Sequence, residues 1–301
     1  MSTVEHITFY TPDEIELPGL LYYPVQPTRR LMIWLHGMGD NGVFYKPKRI
    51  TELARSLNGK GIALLAFNNR GAHNQKILQR ADQSFMGGTN YELIADCVQD
   101  IEGAATFAET RGFATLYLAG HSTGANKICV YDNKSTNKVF EKYVLAGPGD
   151  DLGLWYTHLG TKKFASARRY AQSAIDANKP LKTMPHYSGM YPFSAQSTLD
   201  LLNPDADYNT FPYYEATHKP LGSRPLFHAY HQILTPMLVI AGSEDESMVT
   251  AGGPERALSI LKTHTSKKAL PASRFETISG SDHSFHGAED IFANKVAAWL
   301  A

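Results

Sequence analysis

The chain holds only two cysteines, Cys97 and Cys129, in 301 residues. Each sits in a stretch of helical pattern. A disulfide framework is therefore excluded as the organising device, and buried, reduced thiols are expected. Long apolar runs are missing as well. None approaches the roughly 18 residues of a membrane span, and the opening "MSTVEHITFYTPDEIELPG" lacks the basic cap and apolar stretch of a secretory signal. The expectation is a soluble, cytoplasmic protein. Charge of one sign is absent too: 29 Lys and Arg balance 29 Asp and Glu. That removes any bulk electrostatic case for nucleic acid or an anionic membrane as partner. The twelve histidines are scattered, with neither His-Glu-x-x-His nor Cys-x-x-Cys, and no Gly-x-Gly-x-x-Gly opens a helix. No metal and no dinucleotide cofactor is expected. A small molecule remains as the expected partner, and nothing in the sequence speaks to the oligomeric state.

What is present is alternation. Short, continuous apolar runs, "LMIWL", "IALLAF", "TLYLA", "YVLA", "MLVIA" and "RFETI", each end at a glycine or a polar cluster. Strands covered on both faces of a parallel sheet read this way. Between them lie helical patterns, clearest in "YELIADCVQDIEGAATFAETRG", where Leu93, Cys97, Ile101, Ala104 and Ala108 recur at three- and four-residue steps. Others are "KPKRITELARSLNGKG", "TGANKICVYDNKS", "GGPERALSILKTH" and "AEDIFANKVAAWLA". Strand–helix repetition predicts an α/β fold with a doubly wound, mostly parallel sheet. The first twenty-odd residues carry Pro-Asp and Pro-Gly turn signals and predict an antiparallel hairpin at its edge.

The alternation breaks over residues 150–231. A helical pattern, "TKKFASARRYAQSAIDANK", is followed there by a Pro- and aromatic-rich stretch. Such an insertion between two strands reads as a cap or lid, leaving 1–149 and 232–301 as the core. Trp155, Tyr187, Tyr191, Phe193, Tyr213 and Tyr214 are its candidate substrate-binding rings, for a bulky, partly apolar group. The competing reading makes them the insertion's own small core. Lys162, Lys163, Arg168 and Arg169 read as a solvated helix face.

One short stretch carries chemistry. The run "ATLYLA" passes directly into "GHSTG", a serine between two glycines where a strand ends and a helix begins. Glycines at 120 and 124 let strand and helix approach closely, while Ser122 is held in a strained turn with its hydroxyl above the sheet. A serine hydroxyl needs a base to take its proton and an acid to orient that base. In a doubly wound sheet both should follow at the ends of later strands, in the order serine, acid, histidine. "MLVIAGSEDES" supplies Asp245 and "FETISGSDHSFHG" supplies His283. Glu244, Asp150 and Asp151 are alternative acids. His286 is the rival base, expected inside the start of the last helix and pointing away. His121 is expected to pack beside the serine. After the first parallel strand, "WLHGMGDNG" offers the backbone N–H of Met38, which with that of Thr123 would form an oxyanion hole.

With these residues in place, the chain resembles the α/β-hydrolase superfamily over almost its whole length, in "HGMGDNG", "FNNRG", "GHSTG", "AGSEDE" and "GSDHSF". The resemblance implies a Ser122–His283–Asp245 triad, with Met38 and Thr123 as oxyanion donors and Arg70 in a structural role. "GGTNYELIADCVQDI", "GHSTGANK" and "LAGPGDD" look like a subgroup of hydrolases that includes fungal siderophore esterases. The expected reaction is cleavage of a carboxylic ester or lactone through an acyl-enzyme. A peptidase, amidase, thioesterase or acyltransferase would use the same machinery, and a non-catalytic binding protein on this scaffold is the alternative of another class.

Overall fold

The computed structural model describes residues 3–44, 46–185 and 192–301. Its main sheet has eight strands in the order β1-β2-β4-β3-β7-β8-β9-β10. The hairpin β1 (Thr3–Tyr10) and β2 (Glu16–Tyr23) forms one edge, and β2 pairs antiparallel to β4 (Ala63–Phe67). From β4 onward the neighbours are parallel: β3 (Arg30–Leu35), β7 (Thr115–His121), β8 (Phe140–Ala146), β9 (Met237–Gly242) and β10 (Arg274–Ile278). This is the doubly wound, mostly parallel sheet expected from the alternation, and the α/β-hydrolase fold that the resemblance implies.

The central strands are buried on both faces, and their side chains alternate between two cores. Met32, Trp34, Leu64, Ala119, Val144 and Ile240 meet α1 (Pro47–Asn58) and α9 (Glu289–Leu300). Leu31, Ile33, Leu65, Leu118, Leu145 and Val239 meet α2 (Cys97–Thr110), α3 (Thr123–Lys134) and α8 (Pro254–His264) on the other face. Cys97 and Cys129 are both free and buried there. Among the described residues, no helix is long and apolar enough to cross a membrane.

Two features differ from the sequence reading. A separate hairpin of β5 (Lys76–Arg80) and β6 (Gln83–Gly87) follows β4. The helix expected from residue 161 is the second half of α4 (Asp151–Asp176), which starts ten residues earlier. Gly160, at φ 70°, ψ 161°, is non-helical, so α4 is two helical segments that meet at a kink there. Further on between β8 and β9 come α5 (Ala195–Leu202), α6 (Tyr213–Thr217) and α7 (His228–His231).

Arg70, in the turn after β4, ties the edge hairpin to α2. Its Nε donates to Asp100 at 2.8 Å and its Nη2 to Asp13 at 2.9 Å, and Asp100 is almost fully buried. Removing the guanidinium strands a buried carboxylate. Arg70→Ala is expected to cost about 3–5 kcal/mol of stability, read as a lowered urea midpoint; a loss below about 1 kcal/mol would contradict this account.

Candidate active site

Gly120 and Gly124 sit where β7 passes into α3. A Cβ on Gly120 would lie 2.2 Å from the Gly124 carbonyl oxygen, and one on Gly124 would lie 2.5 Å from that of Leu35. Any side chain there would force strand and helix apart. Ser122 between them holds φ 56°, ψ −126°, an unfavourable backbone state for a residue with a Cβ. It is fixed from both sides: its N–H donates to the Ala146 carbonyl at 2.8 Å, and its own carbonyl accepts from Ala125 N–H at 2.7 Å. The loop after β3 closes against it. A Cβ on Gly37 would stand 2.9 Å from the Ser122 Cβ, so the backbone leading to Met38 runs directly beside the serine.

Asp245 follows β9 and His283 follows β10, with the end of β8 between Ser122 and both. Asp245 is buried, and its Oδ1 accepts from His283 Nδ1 at 2.9 Å. With Nδ1–H committed to the carboxylate, a neutral imidazole leaves Nε2 as its bare nitrogen. Ser247 orients the acid, donating to the same Oδ1 from its N–H at 2.9 Å and its hydroxyl at 2.6 Å. Burial pushes the His283 imidazole toward the neutral form. The Asp245 carboxylate outweighs this, aided by Glu246 and Asp151, and the pKa stands above its ordinary value of 6.5.

The loop carrying His283 is anchored at several points. Phe285 is buried and stacks on Phe292 of α9, with ring centroids 4.3 Å apart. The Glu246 carboxylate accepts from His283 N–H at 3.3 Å, and His121 Nε2 donates to the His283 carbonyl at 2.7 Å. His121 lies fully inside, near Trp34, and burial together with Arg49 keeps it neutral. It thus packs against the His283 loop, its ring 4.7 Å from that of His283.

The alternative acids and base are placed differently. Glu244 is exposed. Asp150 is buried but spent as the cap of α4, accepting from Gly153 N–H, Tyr214 N–H and the Thr250 hydroxyl. His286 precedes α9 rather than lying in its first turn. Gly287, at φ 75°, turns the chain there, and Asp282 holds His286 in an exposed pair at 2.7 Å.

A cavity of about 350 Å³ opens beside this group, lined by Met38, Asp151, Leu154, Trp155 and His158. Residues 151, 154, 155 and 158 are one stripe of α4 at helical spacing. Of the expected rings, Trp155 reaches this wall. Phe193 and Tyr213 are packed in the core instead, and the Tyr213 hydroxyl donates to the Pro148 carbonyl at 3.0 Å. Tyr214 stacks on His218 with centroids 4.5 Å apart. Tyr187 and Tyr191 lie outside the described residues. Lys162, Lys163 and Arg169 are exposed, while Arg168 is half-buried and reaches Asn203. Among the described residues, no group of three or more His, Cys, Asp or Glu is placed to hold a metal ion.

Sequence reasoning passed over Gly147, Ser247, Leu154 and His158. Gly147 follows β8 at φ 56°, and a Cβ on it would stand 3.0 Å from the His283 ring and 3.1 Å from Asp245 Oδ2. Its place directly after a strand in "LAGPGDD" was the available signal. Gly147→Ala is expected to combine a strained backbone with a displaced imidazole. It should lower kcat by about tenfold or more, since small misplacements of reacting groups are costly. Unchanged kcat in a folded variant would contradict the crowding.

The chain belongs to the serine aminopeptidase S33 family of α/β-hydrolases, whose model matches residues 26–283. No curated sequence matches it. Among solved structures it is similar to the esterase Est1E from Butyrivibrio proteoclasticus with ferulic acid bound, at TM-score 0.64 and 15% identity, covering 98% of both chains. It is also similar to a thermostable carboxyl esterase from Bacillus coagulans, at TM-score 0.63 and 12% identity over 99% of this chain and 98% of that one. An esterase of Pyrococcus furiosus matches at TM-score 0.61 and 14% identity, over 99% and 91%. At these identities the likeness to solved structures concerns the fold.

Proposed function

We propose that this protein is a serine esterase that hydrolyses small carboxylic esters through an acyl-enzyme. Ser122 Oγ attacks the carbonyl carbon while His283 Nε2 takes its proton, and Asp245 holds the ring and stabilises the imidazolium. The N–H groups of Met38 and Thr123 receive the oxyanion. Collapse of the tetrahedral adduct expels the alcohol, protonated by His283. Water, activated by the same imidazole, then releases the acid. Residues 150–231 act as a cap that supplies the cavity wall, with Trp155 as its substrate-facing ring. The observation that carries this reading is the 2.9 Å His283–Asp245 bond at the ends of β9 and β10, together with the strained serine at the end of β7.

Two kinds of ester fit the resemblances: hydroxamate-siderophore esters, and esters of aromatic acids of the kind bound by Est1E. The family description favours a second reading, aminopeptidase action on the same nucleophile. Rates on 4-nitrophenyl esters and on amino-acid 4-nitroanilides separate the two. Ester turnover at least a hundredfold above anilide turnover is expected, and the reverse order would replace the esterase reading.

The free imidazole is the working base, so activity is lost as pH falls through its raised pKa. The acid limb of kcat/KM should therefore lie above 6.5, and Glu246→Gln should move it downward. A limb at or below 6.5 in the native protein would contradict the electrostatics.

A further inference from the structure

We propose that the cavity on α4 is a subsite for a cationic ammonium group, with Asp151 and Trp155 as its specificity-determining residues. Applied to substrates, the inference rests on the esterase reading above. Among the described residues that line it, Asp151 is the one carboxylate, and Trp155 lies one helical turn further along the same stripe. Met38 and Leu154 complete an apolar surround, and His158 meets the Trp155 ring edge-on at 5.8 Å. A carboxylate and an indole on one stripe of the same wall are the chemistry that recognises a tetraalkylammonium: charge from one, a π-face from the other.

The neighbouring carboxylate shows why Asp151 is available. Asp150 is satisfied by two backbone N–H groups and a hydroxyl. Asp151 receives a long hydrogen bond, 3.4 Å, from the Thr123 hydroxyl. It is half-buried and lines the cavity. Burial and the adjacent Asp150 raise its pKa to about 7, against the pull of His283 and Thr123. A carboxylate held this way gains from a cation more than from a neutral group. Thr123 also places the subsite beside the serine, because Thr123 follows Ser122 directly. An ester whose alcohol or acyl part ends in an ammonium can thus reach both.

Two measurements on the full chain test this. Choline and its neutral isostere 3,3-dimethylbutanol are titrated against the protein, followed by tryptophan fluorescence or ligand-observed NMR. Choline should bind about tenfold or more tightly, and Asp151→Asn or Trp155→Ala should each cut that preference severalfold. Choline butyrate and 3,3-dimethylbutyl butyrate are then compared by kcat/KM. The ratio should favour the cationic ester and fall in the same two variants, whereas Glu244→Gln, at an exposed bystander, should leave the ratio where it was. Equal binding of choline and its isostere, or a preference that survives Asp151→Asn, would overturn the subsite. If neither ester is turned over, the esterase reading fails, and the choline titration still decides the subsite by itself.

Discussion

Ser122→Ala is expected to lower kcat on a 4-nitrophenyl ester by about 10⁴- to 10⁶-fold. The hydroxyl is the group that forms the covalent bond in the proposed mechanism, and no neighbouring oxygen replaces it. Knocking out the nucleophile of a serine hydrolase typically costs as much as removing the whole triad, and what remains comes from the oxyanion donors and binding. The substitution leaves the fold intact in principle, since alanine keeps the Cβ that packs against Gly37. Retained activity above a hundredth of the native rate, in a folded variant, would remove Ser122 from the mechanism. It would also revive the binding-protein alternative, for which turnover of the native chain is incidental.

Asp245→Asn is expected to lower kcat by about 10⁴-fold. The carboxylate does more than hold the ring. It fixes the proton on His283 Nδ1, leaving Nε2 free to accept one from serine, and an amide in its place favours the wrong tautomer. Ser247 donates twice to the same oxygen, so an asparagine would still be gripped and the geometry largely kept. The loss would then report charge and tautomer rather than unfolding. Glu244→Gln, at an exposed position one residue away, should change kcat by less than about twofold. Parallel losses in the two variants would move the acid elsewhere, with Asp151 next in line because its charge also acts on His283.

Much of the architecture was legible because the central strands are buried on both faces. An uninterrupted apolar run such as "MLVIAG" has few other uses, and β9 covers it from Met237 to Gly242. The β5–β6 hairpin was not legible for the opposite reason. Its residues are mostly exposed or half-buried, so no apolar period marks them. The first half of α4 was missed because its stripe is mixed: Asp151, Leu154, Trp155 and His158 face a cavity rather than a core. Within the site, strand-end position and residue type pointed to 122, 245 and 283. Ser247 carried no such mark, and Gly147 shared only the strand-end position. Their significance arises only once β8 and β9 lie side by side and a glycine is needed beneath His283. The aromatic insertion was read too evenly. Composition draws attention to all its rings, but only packing separates Trp155 at the cavity from Phe193 and Tyr213 in the core.

The most direct test is covalent. The full chain is treated with a fluorophosphonate, and the adduct is weighed on the intact protein and located by peptide mapping. One phosphonyl group on Ser122, with labelling slowed at least a hundredfold in His283→Ala, is the predicted result. An unlabelled native protein, or an adduct on any other residue, would contradict a mechanism built on this serine, imidazole and carboxylate.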